Sequence, residues 1–344
     1  MVAYLVRRIL LAVVTIFAIS FISYIIIQMP EGDYVDWYII AAEVEGDING
    51  FRLNDGGKFS DAMMETLREE FGLNDPLVVQ YWKWISGIVF KADFGYHFYG
   101  GIRTEVKQII IETLPPTVLL SVFTVTITWL LAIPIGVYSA MRHNTIGDFT
   151  FTFLGFTGLA VPDFLLALLM MYLLFAWFDM SVGGLFSGDY ELAPWSFGRV
   201  VDLMKHLFVP VVVLGTSGTA GLIRIMRNNL LDELSKPYVV TARAKGLSNW
   251  KAVVKYPMRV AINPFVSGIG SMLPTLIGGS LIVSVVLSLP TLGPVLLYAI
   301  RQEDTGLAGS IVLMMGVMTV VGVLISDILL VVVDPRIKLA GGPS

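Results

Sequence analysis

Long apolar runs are the feature that most constrains how this chain folds. A bilayer crossing needs about 20 mostly apolar residues, and such runs recur along all 344 residues. Charged residues make up 15% of the chain, against about 25% in a soluble domain, and the mean hydropathy is +0.76. We therefore predict an all-α polytopic membrane protein with six transmembrane helices at 9–29, 114–138, 149–178, 208–229, 263–288 and 310–333.

The first apolar run predicts a retained span rather than a cleaved signal peptide. It is longer than a typical signal core, and no small-residue cleavage site follows it. Arg7 and Arg8 precede it, which indicates a cytoplasmic N-terminus by the positive-inside rule. Six spans then put the C-terminus, with Arg336 and Lys338, on the cytoplasmic side as well.

Two polar segments carry opposite charge, and both agree with this topology. From Arg224 to Arg259 there are eight Lys/Arg against two acidic residues, which indicates a cytoplasmic loop between the fourth and fifth spans. From 30 to 113 there are fifteen acidic residues against seven basic ones. We predict that 30–113 is an extracytoplasmic domain after the first span and that 181–207 is a second outer loop. The positive-inside rule alone explains the basic residues, so they do not by themselves indicate a partner.

Within the outer domain, sequence signals predict two helices. The first runs from Ser60-Asp61 to about Glu70 and ends at Gly72. The second follows Asp75-Pro76 with the sequence LVVQYWKWISGIVF. Its Tyr81, Trp82 and Trp84 predict a position at the membrane interface, where aromatic rings with polar edges are enriched.

Chemical motifs are absent from the sequence. The chain has no cysteine and no Walker A sequence, and His97, His143 and His206 lack metal-ligand spacing. The run GTSGTAG at 215–221 has no preceding strand and no Lys-Ser/Thr ending, so it predicts close helix packing. We expect no catalytic, cofactor-binding or metal-binding residues. The chain is not expected to be an enzyme, and energy for any pumping comes from a partner or an ion gradient.

The loop YVVTARAKGLSNWKAVVKYPMRVAINP at 238–264 carries a resemblance to a known family. It resembles the cytoplasmic "EAA" loop of permease subunits of binding-protein-dependent ABC importers, in the oligopeptide/dipeptide branch. Other segments match in order, including FGLNDPLVVQYWKWISGI, DFGYHF, LPPTVLLS, LPTLGPVLLYAI and DPRIK. Val240 stands where the wider family has glutamate, a departure that the peptide branch commonly shares.

The resemblance implies a complex and a location. The partners are a second related permease, two ABC ATPase subunits, an extracytoplasmic solute-binding protein and the lipid bilayer, with no nucleic acid. No cofactor is expected in this chain, because ATP and Mg bind to the ATPase subunits. The solute is an oligopeptide or a short oligosaccharide. The implied location is the bacterial or archaeal cytoplasmic (inner) membrane.

The resemblance also implies a coupling loop at 235–262. Gly246 is predicted to be the turn between two short helices, since glycine tolerates positive φ. Leu247, Trp250 and Val254 fall on one apolar face of the second helix. Arg243 and Lys245 are candidates for anchoring the loop. The residues that we expect to couple to the ATPase are Thr241, Ala242, Arg243, Ala244, Lys245, Gly246, Leu247, Ser248 and Trp250.

Two carboxylates lie inside predicted spans, where a charge is costly unless it faces protein or water. Asp163 follows Pro162 and is interpreted either as a polar point on the translocation path or as a cap of a half-helix. Asp327 is interpreted as an interhelix hydrogen-bonding group. The alternative function is an ion-coupled secondary transporter that uses Asp163 and Asp327, although the sequence shows no internal repeat of the kind such carriers have. The predicted domains are 1–29, 30–113, 114–334 and 335–344.

Overall fold

A computed structural model describes residues 2–28, 35, 65–66, 68–69, 72–99 and 102–333. These residues form helices joined by short connections, with one β-hairpin. The helices are α1 (Val2–Ile27), α2 (Leu77–Ser86), α3 (Val106–Met141), α4 (Ile146–Ala160), α5 (Asp163–Phe178), α6 (Gly188–Glu191), α7 (Phe197–Leu234), α8 (Pro237–Ala244), α9 (Asn249–Lys255), α10 (Pro257–Ala261), α11 (Asn263–Gly279), α12 (Leu281–Val286), α13 (Leu292–Arg301) and α14 (Thr305–Val333).

Among the described residues, four helices are long and apolar enough to cross a membrane: α1, α3, α7 and α14. The pair α4 and α5 is bent by 99° and adds a fifth crossing if it is one span. The apolar part of α1 covers 21 residues, about 32 Å at 1.5 Å per residue, which matches a hydrocarbon core of about 30 Å. The prediction of an all-α polytopic membrane protein is confirmed, whereas the count of six spans stays a prediction.

The predicted third span, 149–178, is broken into two helices, which agrees with the half-helix interpretation of Asp163. The break falls at Val161-Pro162, where Val161 is extended with φ −85° and ψ 125°. Proline lacks an N–H and disfavours the helical conformation in the residue before it. The helix therefore ends at Ala160, and a new one begins at Asp163.

Other predicted boundaries also need correction. The fifth span, predicted at 263–288, is divided into α11 and α12 at Ser280, directly after Gly278-Gly279. The loop predicted at 181–207 ends early, because α7 begins at Phe197 with the Ser196 hydroxyl accepting a hydrogen bond from the Arg199 N–H. The domain predicted to end at 113 overlaps α3, which begins at Val106. The helix predicted from 60 to 70 falls largely outside the described residues.

The chain divides into two compact units. The first contains residues 1–8, 117–290 and 318–344. Its buried residues form two clusters centred on α7, one around Leu207, Val213 and Leu287 and one around Met226, Leu230 and Phe265. The predicted helix packing of the GTSGTAG run is confirmed, because a Cβ atom on Gly215 would lie 3.3 Å from Thr128 of α3.

The second unit contains residues 9–116 and 291–317. Its hairpin pairs β1 (Tyr96–Tyr99) with β2 (Ile102–Glu105) in antiparallel register. Tyr81 of α2 is 2% exposed, and its hydroxyl lies 2.8 Å from Ser20 Oγ of α1. Tyr81 is therefore a core residue, whereas Trp82 is 62% exposed, and the interfacial position of this helix stays a prediction.

Candidate functional site

The polar loop between α7 and α11 contains three short helices, α8, α9 and α10, and the first two are joined at Gly246 as predicted. Gly246 has φ +84°. Its N–H donates to Arg243 O at 2.9 Å, and the Leu247 N–H donates to Ala242 O at 3.3 Å. These two bonds form a Schellman motif, which satisfies the last carbonyls of α8 and places a left-handed residue at the turn. The turn therefore fixes the angle between α8 and α9.

The inner face of this loop packs on α7. Val253 of α9 and Ala261 of α10 are fully buried in the same cluster as Met226 and Leu230 of α7. Ala242 of α8 is also buried, so its side chain packs inside the loop. These apolar contacts join the loop to the C-terminal part of α7.

The outer face of the loop exposes both apolar and basic groups. Trp250 is 57% exposed, and Val240 of α8 and Val254 of α9 are exposed as well. Leu247 is half-buried, which only partly supports the predicted Leu247, Trp250 and Val254 face. Large exposed apolar groups on a polar loop are typical of a protein interaction site. The remaining predicted residues are also exposed: Thr241, Arg243, Ala244, Lys245 and Ser248.

A cavity of about 260 Å³ lies within the first unit, and Asp163 is on its wall. Asp163 begins α5 and is half-buried. No hydrogen bond or ion pair joins its carboxylate to another described residue. Thr124 of α3 is 1% exposed, and its hydroxyl has no hydrogen-bond partner in this part of the chain. Unsatisfied polar groups on a cavity wall favour water or a polar solute inside it.

The cavity and the loop share helices. α7 contributes Leu214, Ser217 and Gly218 to the cavity wall, and α11 contributes Met272 and Leu276. The same two helices contribute to the apolar cluster that holds the loop. From Phe265 to Met272 the rise along α11 is about 10 Å. The loop and the cavity are therefore joined by continuous helix.

Two ion pairs in the first unit were not predicted as pairs. Arg8 Nη2 of α1 lies 2.9 Å from Asp327 Oδ1 of α14, with a second bond from Nε. This agrees with the predicted interhelix role of Asp327. Arg227 of α7 bonds both oxygens of Asp148 at 2.8 Å, and Asp148 is 1% exposed. The only sequence signal for either pair is a lone charge near the end of an apolar run.

The second unit holds a buried pair that was not predicted from the sequence. His97 Nδ1 lies 2.6 Å from Asp304 Oδ2, and both side chains are buried. Asp304 Oδ1 accepts the N–H of Leu307 at 2.8 Å, which caps the start of α14. The pair therefore ties the β-hairpin to the connection between α13 and α14.

The fold is that of a polytopic helical membrane protein with a cavity among its helices and a structured polar loop. The sequence matches the family model "Binding-protein-dependent transport system inner membrane component" over residues 132–339. It also matches the corresponding N-terminal membrane component over residues 47–121. The chain belongs to this family, and the predicted resemblance is confirmed.

Individual relatives match over nearly the whole chain. The oligopeptide transport system permease protein AppB of Bacillus subtilis is 34% identical over 98% of this chain and 100% of its own length. The inner membrane ABC transporter permease protein YejB of Escherichia coli is 30% identical, with 98% and 99% covered. The dipeptide transport system permease protein DppB of Escherichia coli is 28% identical, also with 98% and 99% covered.

Proposed function

We propose that this chain is one of two membrane subunits of an ATP-driven importer of oligopeptides. An extracytoplasmic binding protein delivers the solute, and two ATPase subunits dock on the coupling loop. ATP binding brings the ATPase subunits together, and the loop and α7 follow. The membrane helices then alternate between inward- and outward-facing arrangements. ATP and Mg bind to the ATPase subunits, and this chain holds no cofactor.

The observation that carries the proposal is the two-sided coupling loop. Its inner face is buried against α7 through Val253, while its outer face exposes Trp250. A loop that served only to connect two spans would need neither a fixed Schellman turn nor an exposed tryptophan. The peptide assignment is supported by the names of the relatives. Short oligosaccharides are kept as the second solute class in the test below.

The proposed topology has six spans, with α11 and α12 together forming the fifth. The Arg8–Asp327 pair supports it, because the N-terminal end of α1 and the C-terminal end of α14 must lie at the same membrane face. The proposed domains are a first span at 1–29, an extracytoplasmic domain at 30–113, a five-helix core at 114–334 with the loop at 235–262, and a cytoplasmic tail at 335–344. Both termini are cytoplasmic.

The alternative of a secondary transporter is not favoured. A carboxylate that relays ions must exchange its partner during transport, and Asp327 is instead held by two hydrogen bonds to Arg8. Family membership supplies an energy source that needs no such relay.

The first test is purification of the chain with the proteins that bind it, under mild solubilisation. We expect a second permease and two ATPase subunits, and peptide-dependent uptake after reconstitution with the binding protein. Uptake of oligosaccharides but not peptides would change the solute class. A chain that purifies alone, with uptake driven by an ion gradient, would refute the importer.

Replacement of Trp250 by alanine tests the docking surface. An exposed tryptophan at the centre of an interface commonly contributes about 2 kcal/mol or more, so the affinity for the ATPase subunits should fall about 30-fold. The measurement is a titration of the purified membrane chains with ATPase subunits. Trp82→Ala is the matched control, because Trp82 is 62% exposed but lies in the second unit. Equal affinities for both variants would place the docking surface elsewhere.

Replacement of Asp163 by asparagine tests the cavity. A hydrogen bond to a charged group contributes about 1.5–3 kcal/mol, so uptake of peptides with a free amino group should fall about tenfold or more. Uptake of N-acetylated peptides should change little. Asp179→Asn, at the opposite end of α5, is the control. An unchanged preference for the free amine would show that Asp163 does not meet the solute.

A further inference from the structure

A second concavity in the first unit is a groove between α4 and α7. It has a volume of about 410 Å³. Its apolar wall is formed by Phe149, Phe156 and Leu159 of α4. At one end it reaches Arg224 and Asn228 of α7. We call this concavity the α4–α7 groove.

The walls of the α4–α7 groove have the character of a surface in contact with hydrocarbon. Phe149, Phe156 and Leu159 are all about half exposed or more. The floor is made of small residues, Gly155, Ala220 and Gly221. A Cβ atom added to Gly221 would meet no atom within 4 Å. The groove is therefore open along a membrane-spanning helix, and its floor at Gly221 has room for part of another molecule.

The cationic end of the groove has one satisfied and one available guanidinium. Arg227 is committed to the buried carboxylate of Asp148. Arg224, one helical turn away, is exposed and makes no hydrogen bond or ion pair with any residue that the structure describes. Asn228 lies four residues further along α7, hence on the same face as Arg224. Its Oδ1 atom accepts from Arg227, which leaves the amide NH₂ group to donate.

We propose that the α4–α7 groove binds an anionic phospholipid. One acyl chain lies along the phenylalanine wall, and the phosphate lies against Arg224 and Asn228. An apolar channel that ends at a free cation matches a molecule in which a hydrocarbon chain and a phosphate are joined. A free phosphate or a nucleotide would use the cation and leave the apolar wall in water. Basic pockets between transmembrane helices at the cytoplasmic face are sites of this kind.

The occupant that competes with a lipid is a protein chain, because the importer contains a second permease. A protein surface that fitted the groove would bring a carboxylate to Arg224 or leave the arginine desolvated without a partner, which is costly. A lipid satisfies the arginine and is present at high concentration wherever the groove faces the bilayer. The proposal concerns lipid composition and is independent of the solute that the importer carries.

The test uses the assembled complex, purified in detergent and incubated with phosphatidylglycerol or phosphatidylcholine before native mass spectrometry. We expect about a tenfold preference for phosphatidylglycerol, which should fall to less than twofold in Arg224→Gln. Arg142→Gln is the matched control, because Arg142 is an exposed arginine at the end of α3 that does not line the groove. Retention that is equal for both lipids, or lost equally in both variants, would overturn the proposal.

A second variant separates the apolar part of the site from the cation. Gly221→Leu places a side chain into the open floor while keeping Arg224, and leucine is favourable in a helix. It should reduce phosphatidylglycerol retention about tenfold while the second permease still co-purifies in full amount. If Gly221→Leu instead releases the second permease and leaves lipid retention unchanged, the groove is a protein interface and the proposal is wrong.

Discussion

Replacement of Gly246 by valine is expected to reduce transport at least tenfold for each ATP hydrolysed, without unfolding the membrane helices. Valine at φ +84° is strained by about 1–3 kcal/mol, and the two Schellman hydrogen bonds from Gly246 and Leu247 hold that conformation in place. The backbone at the turn would leave the left-handed conformation, the two hydrogen bonds would break, and the angle between α8 and α9 would change. The measurement is the ratio of peptide uptake to ATP hydrolysis in reconstituted vesicles.

Two controls isolate the backbone conformation at this turn. Gly246→Asn should keep most of the coupling, because asparagine tolerates the left-handed region. Ala244→Val adds the same side-chain bulk two residues earlier, at an exposed position with helical backbone at the end of α8. This variant should also remain coupled. Wild-type coupling in Gly246→Val would show that the turn does not transmit the movement.

Replacement of Arg227 by methionine is expected to lower the free energy of unfolding by about 3–5 kcal/mol, because it leaves one charge of a buried pair without its partner. Asp148 has a side chain that is 2% exposed. The N–H of Asn144 at 3.0 Å is too weak a partner to compensate for the lost guanidinium. The measurement is the midpoint of thermal unfolding of the complex in detergent.

The double variant Asp148→Leu with Arg227→Met separates burial of a charge from loss of packing. It should recover most of the stability, since apolar pairs often replace buried ion pairs without loss. Arg142→Met, which removes an exposed arginine, should shift stability by no more than about 0.5 kcal/mol. A double variant as unstable as Arg227→Met would mean that the guanidinium acts through its shape and not through its charge.

Local chemistry explains which features could be predicted from the sequence. The turn at Gly246 and the break at Pro162 depend on the backbone of one or two residues, and both have the predicted conformation. The ends of α3 and α7 were misplaced because these helices continue beyond the apolar run. Hydropathy indicates which residues lie in the hydrocarbon core, whereas hydrogen bonding and capping decide where a helix ends.

Contacts between distant elements account for what was missed. Arg227 and Asp148 are 79 residues apart, and His97 and Asp304 are 207 apart; no local pattern links either pair. The apolar face predicted for α9 was found only in part, because the buried residues of α9 are Ala252 and Val253. The side of a short amphipathic helix that is buried depends on the neighbour it packs against, which the period of the helix does not reveal.

The contact between Arg8 and Asp327 has a consequence for how the protein is made. The two residues are separated by 319 positions, which a ribosome working at about 5–20 residues per second covers in roughly 16–64 s. Throughout that interval the carboxylate that Arg8 binds does not yet exist. The contact is therefore a late event in biogenesis. Translation arrest or truncation before Asp327 would leave Arg8 without this partner inside an apolar helix.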